Sequence, residues 1–154
     1  MSRIEDALAR LGIELPPAPA PLAAYVPVRV AGDLAFVAGQ VPSADGRPTV
    51  AGRVGADVTV EAAALGCRRA ALQSIAALRA ALGDLDRVAG IAQVTVFVAS
   101  APGFTEQPRV ANGASELLVE LLGDDGRHAR AAVGVSELPL GAAVEVAVTA
   151  ILAR

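Results

Sequence analysis

The 154-residue chain contains one cysteine, one histidine and few aromatic residues. A single cysteine excludes an intrachain disulfide framework, and one histidine with one cysteine cannot form the cluster of ligands that a metal site needs. The sequence also lacks a Gly-x-Ser-x-Gly nucleophile motif and a Gly-x-x-x-x-Gly-Lys phosphate-binding loop. Because aromatic residues make up only 3% of the chain, its core must be aliphatic.

Long apolar runs and concentrated basic charge are also missing. No uninterrupted apolar run reaches the ~18 residues that a membrane helix needs, and Glu5 and Asp6 stand where a signal peptide would have an apolar segment. The net charge is −3, and Arg68 and Arg69 form the one basic cluster. Nucleic-acid binding normally needs a concentrated basic face. We therefore expect a cytoplasmic protein that binds neither membranes nor nucleic acid.

Apolar residues, by contrast, are abundant. They make up 54% of the chain, whose mean hydropathy is +0.52 and whose length is that of one domain. So many apolar residues in so short a chain suggest that some remain exposed on the monomer, and a large exposed apolar patch usually marks an interface. We therefore expect a homo-oligomer. The alternative is a core and surface that are merely rich in alanine.

The N-terminal region differs in pattern from the rest of the chain. Residues 4–11 predict a short amphipathic helix that Gly12 could end. The proline-rich residues 16–21 indicate an extended spacer without chemistry of its own. We expect residues 1–24 to form this short helix and connector, and residues 25–154 to form the main domain.

Two longer helices are predicted in the main domain. Residues 59–82 are the clearer one, because Thr59 is a good N-cap, Gly83 is a good C-terminal residue and apolar residues recur at three- and four-residue steps. Cys67 lies on this apolar stripe, which predicts a small core residue rather than a reactive thiol. Residues 108–122 predict the second helix, with a proline near its start, where proline is tolerated.

Strand-like segments alternate with these helices. Residues 25–30 and 34–38 predict a hairpin, and Pro27 marks its first strand as an edge strand. Residues 88–99 predict a long strand, and two short strands flank the Leu-Pro-Leu-Gly turn of residues 138–141. The order strand, strand, helix, strand, helix, strand, strand predicts an α+β fold with the helices on one face of a mixed sheet.

The last two strands each carry one charged side chain, Arg130 and Glu145, that could bind a ligand. Strand side chains alternate between faces, so Arg130 lies opposite to Val133 and Val135, and Glu145 opposite to the valines of its own strand. If the valines face the core, both charged side chains leave it on the other side, above small residues that leave room for a small anion. The alternative is an ordinary solvated face. In a tight hairpin Glu145 would lie opposite Gly134, roughly 13 Å along the strand from Arg130.

This stretch resembles the C-terminal signature of the Rid family (YjgF or L-PSP) of enamine/imine deaminases, in which Pro/Ala-Arg-Ser-x-Val, Leu-Pro and Val-Glu-Ile/Met follow one another. The matching segments are Ala-Arg-Ala-Ala-Val at 129–133, Leu-Pro at 138–139, Val-Glu-Val at 144–146 and, upstream, Ala-Gly-Gln-Val-Pro at 38–42. Tyr25 stands where the family has a site tyrosine, and Asn112 where it has a site asparagine. The resemblance covers most of the chain.

The resemblance implies a chorismate-mutase-like fold, assembled as a homotrimer with ligand sites between subunits. It also implies hydrolysis of reactive 2-enamine or 2-imino acids to 2-keto acids and ammonia, with no metal or organic cofactor. Arg130 would bind the substrate carboxylate through two parallel hydrogen bonds, and Glu145 would position or deprotonate the attacking water. The other positions that would contact substrate are Tyr25, Gly39, Asn112 and Ala132.

Structural alternatives stay open for these positions. Tyr25 could pack beside the proline-rich spacer, Gly39 could serve a simple turn and Asn112 could suit the first turn of its helix. The chain departs from the family at Ala132, where many members have cysteine, and it has alanine in place of the serines next to Arg130 and before Gly39. Reactions through that thiol are therefore excluded, whereas hydrolysis by water does not need it.

Two other classes of function remain open. One is a non-catalytic trimer that binds small carboxylates or holds client proteins. The other is the ribonuclease or translation-inhibitor role historically attached to the family, against which the acidic balance counts. His128 precedes Arg130 by two residues on the same strand face. It could line the mouth of a site, but we expect it to cap a strand end in solvent.

Overall fold

The computed structural model describes residues 2–20 and 24–154. Its helices are α1 (Arg3–Leu11), α2 (Val60–Leu82) and α3 (Gln107–Leu122). Its strands are β1 (Val28–Ala31), β2 (Leu34–Gln40), β3 (Ser43–Ala44), β4 (Arg47–Pro48), β5 (Val88–Ala99), β6 (Ala129–Val135) and β7 (Val144–Leu152). Within the described ranges, no helix is both long and apolar enough to cross a membrane.

A five-stranded mixed sheet forms the framework, in the order β1-β2-β7-β5-β6. Every neighbouring pair is antiparallel except β5 with β6, which is parallel. The predicted N-terminal hairpin is confirmed as β1 and β2, and β1 is an edge strand as Pro27 indicated. A separate two-stranded ribbon, β3 with β4, closes at Asp45 and Gly46, which both have positive φ.

Helices α2 and α3 pack side by side on one face of this sheet, as predicted. The α2 boundaries match the expected caps, because the Thr59 side chain accepts from the Ala62 amide and Gly83 is left-handed. The helices approach closely at Gly113, where a Cβ would lie 1.9 Å from the Ala64 carbonyl oxygen. The predicted stripe of α2 is buried throughout: Ala63, Cys67, Ala70, Ala71, Ser74, Ile75, Leu78 and Leu82. The α+β fold is therefore confirmed.

The tight hairpin considered for the last two strands does not form. β5 lies between them, so that β6 pairs with β5 in parallel and β7 pairs with β5 on its other side. The parallel pairing follows from the connection, because α3 carries the chain from the end of β5 back to the start of β6. The Leu-Pro-Leu-Gly segment instead crosses between two non-adjacent strands, with Leu140 at a φ of 60°.

The N-terminal helix belongs to the same core. Ile4, Ala7 and Leu8 of α1 are buried in the main hydrophobic cluster. Ser2 and Glu5 form a capping box at its start, and a left-handed Gly12 ends it, as the sequence indicated. Residues 13–20 of the connector have no regular secondary structure, and the last proline of the predicted spacer lies outside the described residues.

Candidate functional site

Arg130 lies on the helix-covered face of the sheet, at the β6 edge. It pairs with Val94, whose side chain is fully buried beneath the helices, and residues paired across a sheet point to the same face. Val133 instead pairs with Phe97 on the open face and is 41% exposed. The condition considered from the sequence, that the valines of both strands face the core, is therefore not met by β6. Ala132, two residues after Arg130, is the β6 side chain that packs against the core.

Helix α3 supplies the hydrogen-bond partners of Arg130. Its Nη1 donates to Asn112 Oδ1 at 2.9 Å and to Ser115 Oγ at 3.1 Å. Asn112 and Ser115 are three residues apart and so share one side of the helix. Because α3 begins at Gln107, Asn112 lies in the second turn and not in the first. The sequence did not identify Ser115 as a site residue, and its spacing of three residues from Asn112 was the only signal for it.

His128 lies next to Ser115. Its Nε2 is 3.0 Å from Ser115 Oγ, and its Nδ1 is 2.7 Å from the Gly126 carbonyl oxygen. Desolvation lowers the pKa of His128 below its ordinary value of 6.5, and the nearby Arg130 lowers it further, against the opposing effect of the Gly126 carbonyl. The imidazole is half-buried and hydrogen-bonded at both nitrogens, so the expectation that it caps a strand end in solvent is wrong.

Glu145 lies on the opposite, open face of the sheet. It pairs with Phe97 of β5, and desolvation raises its pKa above the ordinary value of 4.5. A Cβ at Gly39 would lie 3.0 Å from Glu145 Oε1 and 3.1 Å from its Cδ. The pairing of β2 with β7 is irregular between Val37 and Gln40, beside this contact. The absent side chain of Gly39 therefore leaves space for the carboxylate.

The structure brings the predicted site residues together in two groups. Arg130 lies with Asn112 on one face, and Glu145 lies with Gly39 on the other. Two strand spacings, about 10 Å, and an offset of three residues, about another 10 Å, separate Arg130 from Glu145 within one chain. Tyr25 belongs to neither group, because it precedes β1 at the other edge of the sheet and is 50% exposed. One small ligand cannot touch both groups of the same copy.

The open face that carries Glu145 is largely apolar. Phe36, Val133 and Ile151 are each 40% or more exposed there. Their positions on β2, β6 and β7 spread the apolar surface across the sheet. An exposed apolar area of this kind on a small protein is a candidate interface.

Other candidate centres in the molecule are less suited to chemistry. Burial raises the pKa of the Cys67 thiol to about 12, which agrees with its prediction as an inert core residue. Across residues 2–20 and 24–154, no three His, Cys, Asp or Glu side chains converge as metal ligands. A groove of about 600 Å³ runs over α2 and α3, and its charges include the Arg68–Glu120 ion pair at 2.8 Å.

These features define a mixed α+β protein of the chorismate-mutase-like kind, and comparison with known proteins identifies its family. The sequence profile described as "YjgF/chorismate mutase-like, putative endoribonuclease" matches residues 5–152. Protein TCP17 of Trypanosoma cruzi is 49% identical over 145 residues, which are 94% of this chain and 91% of that protein. The chain therefore belongs to the YjgF/chorismate mutase-like family, as the resemblance to Rid proteins indicated.

Solved structures agree with this membership. The crystal structure of Atu1372, a protein of unknown function from Agrobacterium tumefaciens, has a TM-score of 0.90 at 43% identity and covers 98% of this chain and 93% of its own. A "putative endoribonuclease" from Shewanella oneidensis MR-1 has a TM-score of 0.92 at 34% identity, covering 97% of this chain and 99% of its own.

Proposed function

We propose that the protein hydrolyses 2-imino acids to 2-keto acids and ammonia. The imines arise by tautomerisation of 2-enamine acids such as 2-aminoacrylate. Water adds to the carbon of the C=N bond to form a carbinolamine, which then loses ammonia as the carbonyl forms. One water is consumed for each ammonia released, and neither a metal nor an organic cofactor is needed.

The observation that carries this proposal is the hydrogen bonding of Arg130. Both described hydrogen bonds of its guanidinium start from Nη1. An Nη1 group has two N–H donors, so Asn112 and Ser115 together satisfy it. Arg130 is exposed, and no other described residue accepts a hydrogen bond from its Nε or Nη2. Two parallel donors of this kind are the geometry that binds a carboxylate in bidentate fashion. We therefore assign substrate-carboxylate binding to Arg130.

Glu145 is the proposed acid–base group. Its raised pKa brings the carboxyl closer to neutral pH, where a general base can both hold and release a proton. It would take a proton from the attacking water and pass it to the nitrogen that leaves. Because the imine carbon already reacts with water, positioning the two reactants supplies much of the required acceleration.

A complete site under this proposal needs two copies of the chain. Arg130 and Asn112 of one copy would face Glu145 and Gly39 of the next, with Tyr25 of that second copy contributing if its segment reaches the cleft. The apolar open face would be covered by the neighbouring copies, and we propose the homotrimer implied by the Rid resemblance. Cyclic arrangements of this kind repeat one heterologous contact until the ring closes.

The substrate pocket is proposed to accept apolar side chains. Ala132 takes the position of a cysteine in many Rid proteins, and the residue after Arg130 is alanine instead of serine. Fewer polar groups then line the site, and smaller side chains leave more room. Imines with bulky apolar side chains should therefore be hydrolysed at least as well as the imine of alanine.

The direct test is release of 2-keto acid from imines generated by an amino-acid oxidase. Wild type, Arg130→Ala and Arg127→Ala would be compared. Arg127 is the matched control, because it lies three residues away, is exposed and pairs with Asp124 instead of α3. Acceleration by wild type and Arg127→Ala, lost in Arg130→Ala, supports the proposal. No acceleration by wild type with any imine would rule out the deaminase function.

A second candidate is ribonuclease activity, which the description of the family profile favours. The net charge of −3 and the mixture of Arg and Glu in the α2–α3 groove count against a strong phosphate-binding surface. RNA binding measured at several salt concentrations, together with cleavage of a labelled RNA, separates the two candidates. A salt-dependent affinity with cleavage would favour the ribonuclease.

A third candidate is a carboxylate-binding protein without catalysis. It shares the Arg130 contact with the deaminase but gives no role to Glu145. Binding of 2-oxobutanoate that is abolished in Arg130→Ala and unchanged in Glu145→Gln, without turnover in wild type, would identify this case.

A further inference from the structure

We propose that Ser115 and His128 form a relay that positions Arg130 for carboxylate binding. The inference rests on the proposed function, because it assigns a purpose to groups that touch Arg130 and not the reacting atoms. Ser115 and His128 are therefore positioning residues. The relay runs from the Gly126 carbonyl through His128 and Ser115 to the guanidinium.

The direction of each hydrogen bond follows from the chemistry of the groups. The Gly126 carbonyl oxygen can only accept, so the proton of the neutral imidazole is on Nδ1. Nε2 is then an acceptor and receives the Ser115 hydroxyl proton. The Ser115 oxygen in turn accepts from Arg130 Nη1. In this series of hydrogen bonds each donor has one acceptor, and every proton is donated in the direction from Arg130 towards the Gly126 carbonyl.

The neutral state that this direction requires agrees with the surroundings of His128. Burial and the charge of Arg130 both disfavour the imidazolium. The nearby acidic side chain of Asp124 is engaged by Arg127, and Glu116 of α3 faces the α2–α3 groove. Protonation of Nε2 would reverse the bond to Ser115 and place a second cation beside the guanidinium.

The behaviour of Ser115 differs from that of the other serine within a long helix. Ser74 of α2 donates its hydroxyl to the Ala70 carbonyl four residues earlier, which is the common local bond of a helical serine. Ser115 contacts His128 and Arg130 instead. Its hydroxyl therefore links α3 to the edge strand β6 at the position of the proposed carboxylate site.

Fixing Nη1 from two sides has a consequence for binding. An exposed arginine otherwise samples many rotamers, and a ligand must then bear the entropy cost of ordering it. Asn112 and Ser115 hold the guanidinium plane in advance and leave the Nε–Nη2 edge for the ligand. Losing Ser115 should therefore weaken carboxylate binding and leave the chemical step nearly unchanged.

The test compares Ser115→Ala, Ser115→Thr, His128→Phe and the double variant Ser115→Ala/His128→Phe, each checked for thermal unfolding. Imine hydrolysis gives KM and kcat, and equilibrium binding uses 2-oxobutanoate as the probe. We expect KM and Kd to rise about tenfold in Ser115→Ala, the loss typical of a hydrogen bond to a charged group, with kcat within about twofold. Ser115→Thr keeps the hydroxyl and should restore binding.

Because His128 acts through Ser115, the double variant should be no worse than Ser115→Ala alone. Wild-type binding in both single variants would overturn the relay, and so would a fall in kcat with KM unchanged. The relay is also testable without substrate, since His128 is the only histidine and its NMR titration is unambiguous. Arg130→Gln should raise the His128 pKa, and wild-type imidazole should carry its proton on Nδ1.

Failure of the relay and failure of the deaminase are distinguishable. A wild type that neither hydrolyses imines nor binds 2-oxobutanoate rejects the proposed function, and the NMR titration then decides the relay by itself. An unchanged His128 pKa in Arg130→Gln, or a proton on Nε2, would overturn it.

Discussion

Arg130 and Glu145 lie on opposite faces of the same sheet, with β5 between their strands. The register determines this, because Arg130 pairs with Val94 and Glu145 pairs with Phe97, three residues further along β5. Residues an odd number apart on a strand point to opposite faces. A reaction that uses both side chains therefore requires two copies of the chain.

Glu145→Gln should change the dependence of stability on pH. The folded-state pKa of Glu145 is raised above 4.5, so the folded protein binds this proton more tightly than the unfolded chain. The free energy of unfolding then decreases as pH rises from 4.5 through the folded pKa. Denaturant unfolding at several pH values should show that Glu145→Gln gains stability relative to wild type over this window. A constant difference between the two proteins would contradict the raised pKa.

Gly39→Ala should impair catalysis through Glu145. The added methyl would lie 3.0 Å from Glu145 Oε1, so the carboxylate must move, while the backbone at Gly39 needs no special conformation. The end of a glutamate side chain can shift, and thermal stability should change little. We expect kcat to fall about tenfold or more. Relative to the residual rate of Glu145→Gln the same change should have no further effect, and an additional loss there would assign Gly39 a different role.

Phe36→Asp should dissociate the proposed trimer. Phe36 is 44% exposed on the open face, where a charge would be buried by a neighbouring copy. Leu65→Asp is the matched control, because Leu65 is 68% exposed but lies on α2, away from that face. Sedimentation should give a smaller mass for Phe36→Asp only. If Phe36→Asp keeps the wild-type mass, the open face is not the interface.

Gly113→Ala should destabilise the fold and weaken carboxylate binding. Its Cβ would lie 1.9 Å from the Ala64 carbonyl oxygen, which forces α3 away from α2. We expect a loss of about 3 kcal/mol in the free energy of unfolding, and a higher KM because Asn112 moves with α3. Gly66→Ala is the comparison, since its Cβ would lie 2.6 Å from a side-chain atom of Val50 and 3.2 Å from one of Val144, and none of its three nearest contacts belongs to α3. Equal effects of the two variants on KM would argue against positioning by α3.

The sequence was most informative where local chemistry determines structure. Thr59 and Gly83 identified both ends of α2, and the repeat of apolar residues identified its buried side. Helix α1 likewise ends at Leu11 because Gly12 adopts the left-handed conformation that glycine favours. Caps and periodicity act within a few residues, so a single sequence contains the information.

Pairing of β6 with β5 could not be derived in this way. The partner strand is more than 30 residues away in sequence, and a turn-like Leu-Pro-Leu-Gly segment favoured the nearer strand. Which face of β6 meets the core could not be decided for a related reason. Val133 is apolar yet exposed on the open face, and alternation alone cannot distinguish a residue facing the core from one facing an interface.

The candidate site was predictable only in part. Strand alternation pointed to Arg130 and Glu145, and the family resemblance added Tyr25, Gly39, Asn112 and Ala132. The structure groups Arg130 with Asn112 and Glu145 with Gly39, and it places Tyr25 with neither pair. Ser115 lay outside that motif, because its importance depends on the packing of α3 against β6, which no local pattern records.

Complementation between two inactive variants tests the central proposal most directly. Arg130→Ala subunits retain Glu145, and Glu145→Gln subunits retain Arg130. In a ring assembled at random from equal amounts, about a quarter of the interfaces would contain both intact groups. Co-expressed variants should therefore release 2-keto acid from imines at a rate well above that of either variant alone. If the mixed protein remains as inactive as the separate variants while wild type is active, the site does not span two copies, and the proposed division of roles between Arg130 and Glu145 is wrong.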